Sequence, residues 1–142
     1  MLDFVFLSGK FYEDYKGCKE IEQKATRPYI RIQIEIDGLL FGAPLRSSIN
    51  HSYTFWTDKA NRCGVDFSKS VVITTPDLYI DKSIKPYIRP NEFDALRGKD
   101  HFLKEKLRKY IADYKKAKTN PGIPRNARLL QYSTLQYFED YI

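Results

Sequence analysis

The strongest pattern in the chain is a strict alternation. From Pro28 to Ile36, Ile30, Ile32, Ile34 and Ile36 share one side, and Tyr29, Arg31, Gln33 and Glu35 share the other. A period of two marks a strand with one buried face, so the isoleucines are core and the polar side is open. Asp37-Gly38 follows, a pair that accepts the positive φ values of a two-residue hairpin turn, and Leu39 to Leu45 returns as the antiparallel partner. Pro44 has no amide hydrogen to give to a ladder and is expected at an edge, a bulge or the strand's last turn.

The remaining pattern is sheet first and helix later. Phe4 to Leu7 reads as a short apolar strand, and Phe11, Tyr12 and Tyr15 lie on one face of a short helix between Gly9 and Glu20. Ser48 to Asp66 is polar and reads as an irregular connection, after which Phe67 to Thr74 predicts a third strand with Lys69, Val71 and Ile73 on one side. Pro76, Pro86 and Pro90 leave room for one short strand at Leu78 to Ile80. Glu92 to Leu96 predicts a helix stopped at Gly98, and Lys99 to Lys118 a long one whose buried stripe is Leu103, Leu107, Tyr110, Ile111 and Tyr114. Asn120 to Pro124 ends that helix, and Tyr132 to Ile142 fits a final strand or a short helix equally. The order of elements is that of an α+β fold in a single domain over residues 1–142.

Charge narrows the function classes. The net charge is +6 with 15% aromatic residues, eleven of them Tyr. A positive field draws polyanions, and tyrosines supply flat faces for bases. The long helix carries Lys104, Lys106, Arg108, Lys109, Lys115, Lys116 and Lys118 opposite its apolar stripe, either a ridge that lies along phosphates or a solvated face. No apolar run is long enough to span a bilayer, and Met1 to Leu7 lacks the basic start and length of a signal peptide, so the expected location is the cytoplasm, with no membrane partner. Cys18 and Cys63 have no metal-ligand spacing and read as two free thiols, and no metal or other cofactor is expected. The P-loop, dinucleotide, H-E-x-x-H and EF-hand patterns are all missing.

Cleaving RNA through its own 2′-hydroxyl needs a proton acceptor, a proton donor and cations around the phosphoryl oxygens. If the hairpin register holds, Arg27, Tyr29 and Arg31 project from the polar face of one strand, and Arg46 and Ser47 emerge where its partner ends. Two or three guanidiniums then face one pocket, suited to gripping phosphate. His51 titrates near neutrality and is the candidate acid or base. Ser47 lacks a G-x-S-x-G context and reads as a hydrogen-bonding positioner. Lys69 supplies further charge, and Trp56 with Phe55 offers a stacking surface for a splayed base.

Three segments together add a resemblance: Lys24 to Ile30 (KATRPYI), Gly42 to His51 (GAPLRSSINH) and Gly64 to Ile73 (GVDFSKSVVI). From about Phe4 to about Lys118 the chain resembles the ToxN superfamily, toxins of type III toxin–antitoxin systems, and within it the CptN-like and TenpN-like branches. The resemblance implies a compact, strongly bent, mostly antiparallel sheet of the MazF and Kid type, a partial SH3-like barrel packed with helices that include the long basic one. It also implies a metal-independent, sequence-preferring endoribonuclease that leaves 2′,3′-cyclic phosphate and 5′-hydroxyl ends and is inhibited by a pseudoknotted repeat RNA, which it also processes. Phage defence by abortive infection, or maintenance of a plasmid or locus, is the implied role, with RNA bridging the toxin protomers. The serine of the family's A-P-L-x-S segment maps onto Ser47, and a basic residue at the start of the preceding strand maps onto Arg27. Where the ToxN branch has Thr before that serine and Lys two positions after it, this chain has Arg46 and Ile49. Arg46 and His51 are then expected to take over phosphate binding and acid–base work, with Lys69 adding charge. RNA binding falls to Tyr29, Arg31, Trp56, Lys104, Arg108, Lys115 and Lys116, and the competing reading is a non-catalytic RNA-binding module on the same basic surface.

Overall fold

The alternating segment forms the hairpin its pattern calls for. In the computed structural model, which describes residues 2–22 and 28–142, β2 (Arg31–Ile36) and β3 (Leu39–Arg46) pair antiparallel from Arg31↔Pro44 to Ile36↔Leu39. Asp37 and Gly38 turn with φ of 51° and 83°, the left-handed pair that matches strand twist. Ile32, Ile34 and Ile36 are buried as expected. β1 (Asp3–Leu7) adds to the other side of β2, and β7 (Ile80–Asp81) to the other side of β1. β4 (Thr54–Asp58) and β5 (Cys63–Asp66) form a second hairpin, and β6 (Val71–Val72) is a short strand. The seven strands run β4-β5-β3-β2-β1-β7 with β6 also on β3, and every pairing is antiparallel.

β3 is the pivot of this arrangement. Its first half pairs with β6 at Phe41 and Gly42, and its end pairs with β5 at Leu45 and Arg46. Pro44 sits at the seam between the two partners, buried in the middle of the sheet. The seam removes the need for its missing amide hydrogen, so the expected edge or bulge is replaced by a change of neighbour. On β5, a side chain at Gly64 would meet the Phe55 carbonyl oxygen at 2.3 Å, so only glycine lets β4 and β5 approach this closely beneath Arg46.

Among the described residues there are five α-helices: α1 (Gly9–Asp14), α2 (Pro76–Tyr79), α3 (Pro90–Leu96), α4 (Asp100–Thr119) and α5 (Pro124–Tyr132). In α4 the buried stripe is Leu103, Leu107, Tyr110, Tyr114 and Ala117, with Ile111 half-buried at its margin. That helix packs on β2 and on α5. Removing one of its wholly buried leucines is expected to cost about 2–5 kcal/mol, lost transfer energy plus a cavity. Among the described residues no helix is long and apolar enough to cross a membrane. Cys18 and Cys63 are free thiols.

Several expectations change. Ser48 to Asp66 holds the β4–β5 hairpin, hidden from the sequence by a register shift between Trp56 and Asp58 and by Arg62 in the left-handed region. Phe67–Lys69 is a 3-10 turn, because the Asp66 side chain accepts the Ser68 amide and caps it, so β6 begins only at Val71. Leu78 lies in α2. The α1 helix stops at Asp14, the polar stretch after Asn120 contains α5, and a 3-10 turn at Thr134–Tyr137 follows, so the last segment takes the helical one of its two alternatives.

Arg31 is the largest departure from simple alternation. It is wholly buried, with Nη1 donating to the Gly42 carbonyl (3.0 Å) and the Lys69 carbonyl (2.9 Å), and Nη2 to Glu22 Oε2 (2.8 Å). Tyr12 donates its hydroxyl to the other oxygen of Glu22 at 2.8 Å. A Cβ at Gly42 would stand 3.3 Å from the Arg31 side chain, so the glycine gives the guanidinium its path across the sheet. The polar face of β2 is therefore covered at Arg31, and this arginine does not project into a pocket.

Candidate active site

The site is built on a buried carboxylate. Asp66, at the end of β5, is 0% exposed and collects donors from three directions. Its Oδ2 accepts from Arg46 Nη1 across the β3–β5 ladder. Its Oδ1 accepts from Ser68 Oγ (2.6 Å) and Ser68 N (2.9 Å) and faces His51 Nε2 at 3.1 Å. Burial alone would push this carboxyl up, but His51, Ser68 and Arg46 outweigh it and hold it below its ordinary value. Arg46 is likewise opposed by burial, yet Asp66 and Tyr29 raise it further, so its charge is permanent.

His51 is held at both ring nitrogens. The Tyr53 amide donates to Nδ1 at 3.1 Å, which places the proton of the neutral ring on Nε2, toward Asp66 and the Ser68 hydroxyl 3.2 Å away. Lys69 reaches the same region from the 3-10 turn, with Nζ donating to the Tyr132 carbonyl (2.8 Å) and lying 3.8 Å from Glu20. Burial lowers its pKa from the ordinary lysine value, more than the nearby Glu20 and Asp66 restore it.

Helix α5 closes the space. Arg125, Arg128, Leu129 and Tyr132 recur at positions one, four, five and eight, a single helical face. With Arg46, Asn50, His51, Tyr53, Ser68, Lys69 and Ser133 they line a cavity of about 640 Å3. Three permanent guanidinium cations (Arg46, Arg125 and Arg128) and the Lys69 amine thus meet one buried carboxylate. Such a space favours an anion with several oxygens, above all a phosphodiester.

The sequence-predicted residues divide into groups. Arg46, His51 and Lys69 meet in this cavity. Ser47 is exposed and, with Tyr29, lines a second cavity of about 240 Å3 that shares Arg46 as a wall. Arg27 lies outside the described residues. Arg31 is interior, as above. Trp56 is half-buried on β4 with the Arg62 guanidinium 5.4 Å from its ring centre, and Phe55 packs on Phe102, so neither lines the two cavities. On α4, Arg108 pairs with Asp37 and Glu105, Lys109 with Asp113 and Lys118 with Glu139, which neutralises much of the ridge. Lys104, Arg108, Lys115 and Lys116 line neither cavity.

Sequence reasoning missed Asp66, Ser68, Arg125, Arg128 and Tyr132. The Asp66-Phe67-Ser68 spacing is that of an aspartate capping a turn two residues on, and Pro124 opens a helix whose basic and apolar residues share one face. No family model, no curated protein and no solved structure matches the chain.

Proposed function

We propose that this protein is a metal-independent endoribonuclease, a toxin of a type III toxin–antitoxin system related to the ToxN superfamily through its CptN-like and TenpN-like branches. The observation that carries the proposal is the convergence of Arg46, Lys69, Arg125, Arg128 and His51 on one cavity. In-line attack by a 2′-hydroxyl places extra negative charge on the phosphoryl oxygens, and fixed cations stabilise that charge without reorganising. Arg46, Arg125 and Arg128 hold the nonbridging oxygens. Lys69, which burial makes easier to deprotonate, moves the proton, and His51 braces Asp66 so that Arg46 faces the phosphate. Ser47 acts from the far side of Arg46 as a positioner of the RNA strand. The products are a 2′,3′-cyclic phosphate and a 5′-hydroxyl end.

The sequence resemblance extends this proposal to a MazF- and Kid-type bent sheet with a partial SH3-like barrel, to action in the cytoplasm, and to a pseudoknotted repeat RNA that silences and bridges the protomers. Phage defence or locus maintenance is the corresponding role.

One observation favours a second reading. Both ring nitrogens of His51 are occupied, so its imidazole has no free lone pair to accept a proton in this arrangement. A non-catalytic RNA-binding module would use the same cations and need no titrating group. The test is incubation of RNA-free protein with single-stranded RNA in excess EDTA, beside Lys69→Met, His51→Ala and Ser47→Ala. Cyclic phosphate ends from the wild type, reduced at least tenfold in Lys69→Met, are expected. Salt-sensitive binding that leaves the RNA intact would establish the binding module instead.

A further inference from the structure

The second cavity, about 240 Å3 on the other side of Arg46, has features that phosphate binding does not use. Tyr29, Tyr87 and Leu45 give it flat and apolar walls, and Tyr87, at 75%, is the most exposed large hydrophobic side chain among the described residues. Tyr29 carries the Arg46 guanidinium 5.6 Å from its ring centre, so the aromatic wall and the phosphate cavity meet at one residue.

Glu92 lines this cavity although it is buried. A buried carboxylate needs donors for both oxygens. Its Oε2 accepts the Thr57 hydroxyl, whereas Oε1 has Arg89 Nε at 3.5 Å, beyond an ordinary hydrogen bond. Acceptor capacity therefore remains in a space bounded by aromatic rings.

We infer that this cavity is a nucleobase subsite, which seats the base beside the phosphate in the larger cavity and reads an exocyclic amino group through Glu92. The inference rests on the RNA reading of the larger cavity but not on cleavage. Adenine, cytosine and guanine each present an amino group to a carboxylate. Uracil presents carbonyl oxygens on both sides of its single N–H, and a carboxylate repels them. Tyr29 and Tyr87 supply stacking, which accepts any base, so the discrimination belongs to Glu92 alone.

The experiment is equilibrium binding of 5′-labelled hexamers of adenosine, cytidine and uridine in EDTA, followed by fluorescence anisotropy, with cleavage read from the same samples on gels. Wild type is expected to bind the adenosine and cytidine hexamers about tenfold more tightly than the uridine hexamer. Glu92→Gln, whose amide can donate to a uracil oxygen and still accept from Thr57, is expected to bring the three within about threefold. Tyr87→Ala alters an exposed position and is expected to weaken all three by about tenfold. Equal binding of the three hexamers by wild type, discrimination that survives Glu92→Gln, or unchanged affinity in Tyr87→Ala would each overturn the subsite. Discrimination without cleavage would keep the subsite and remove the nuclease reading, and cleavage without discrimination would do the reverse.

Discussion

Two arginine–carboxylate pairs stand on the same sheet with their burial inverted. In the interior, Arg31 is 0% exposed and its partner Glu22 11%, and in the cavity wall Asp66 is 0% exposed and its partner Arg46 25%. The buried member of each pair is the anchor, and the other is what the fold presents outward. Arg31 is spent on carbonyls of β3 and of the Lys69 turn, so it ties elements together. Arg46 is held from behind by a carboxylate and delivered to a space filled with other cations. Identical chemistry therefore ties elements together in one place and holds a cation at a cavity wall in the other.

The largest expected effect comes from breaking the interior pair. Arg31→Met leaves Glu22 without its cation, and a loss of about 3–5 kcal/mol is expected in urea unfolding, partly restored by adding Glu22→Gln. A loss under about 1 kcal/mol would mean that the pair is not the anchor described. Asp66→Asn comes next, because Arg46, His51 and Ser68 share that acceptor. RNA cleavage is expected to fall at least about a hundredfold with the protein still folded.

Asp66 also carries a pH signature. Its folded-state pKa lies below the ordinary 3.8, so the stability it contributes is present above that value and is lost as pH falls through the folded value. Urea midpoints measured between about pH 6 and about pH 2 should fall more steeply for wild type than for Asp66→Asn. Parallel curves would separate Asp66 from the acid response.

Smaller effects sharpen the contrast between the cavity and the outer surface. Arg128→Ala is expected to weaken RNA binding and to lower the slope of log affinity against log salt by about one. Lys115→Ala, on the α4 ridge, is expected to change affinity by less than about twofold. A slope change of the same size in Lys115→Ala would bring the ridge into the RNA path.

How much of this was legible follows from which interactions are local. The β2–β3 hairpin is readable because alternation and Asp37-Gly38 act within a few residues, and α4 because its apolar stripe repeats over about four turns. Arg31 lies on the side that alternation assigns, but alternation does not reveal what covers that side. Here the cover is Glu22 and the Lys69 turn, both distant in the chain. Arg46, His51 and Lys69 are legible as chemistry, whereas Ser47, which the resemblance places with them, lines the other cavity because a strand end turns adjacent residues different ways. Helix α5 is not legible because its one buried residue is Leu129, too little apolar repetition to stand out. Asp66 looked like the last residue of a loop, and its importance arises only when β3 pairs with β5.

The wall supplied by α5 has a consequence during synthesis. Residues 124–132 leave the ribosome after every cavity residue contributed by β3, the His51 loop and the 3-10 turn, while translation proceeds at roughly 5–20 residues per second. Until they emerge, the growing chain carries Asp66 and Arg46 but neither Arg125 nor Arg128, so the cavity lacks the wall that α5 supplies. On the proposed reading, the growing chain at that stage lacks two of the cations that would hold a phosphodiester.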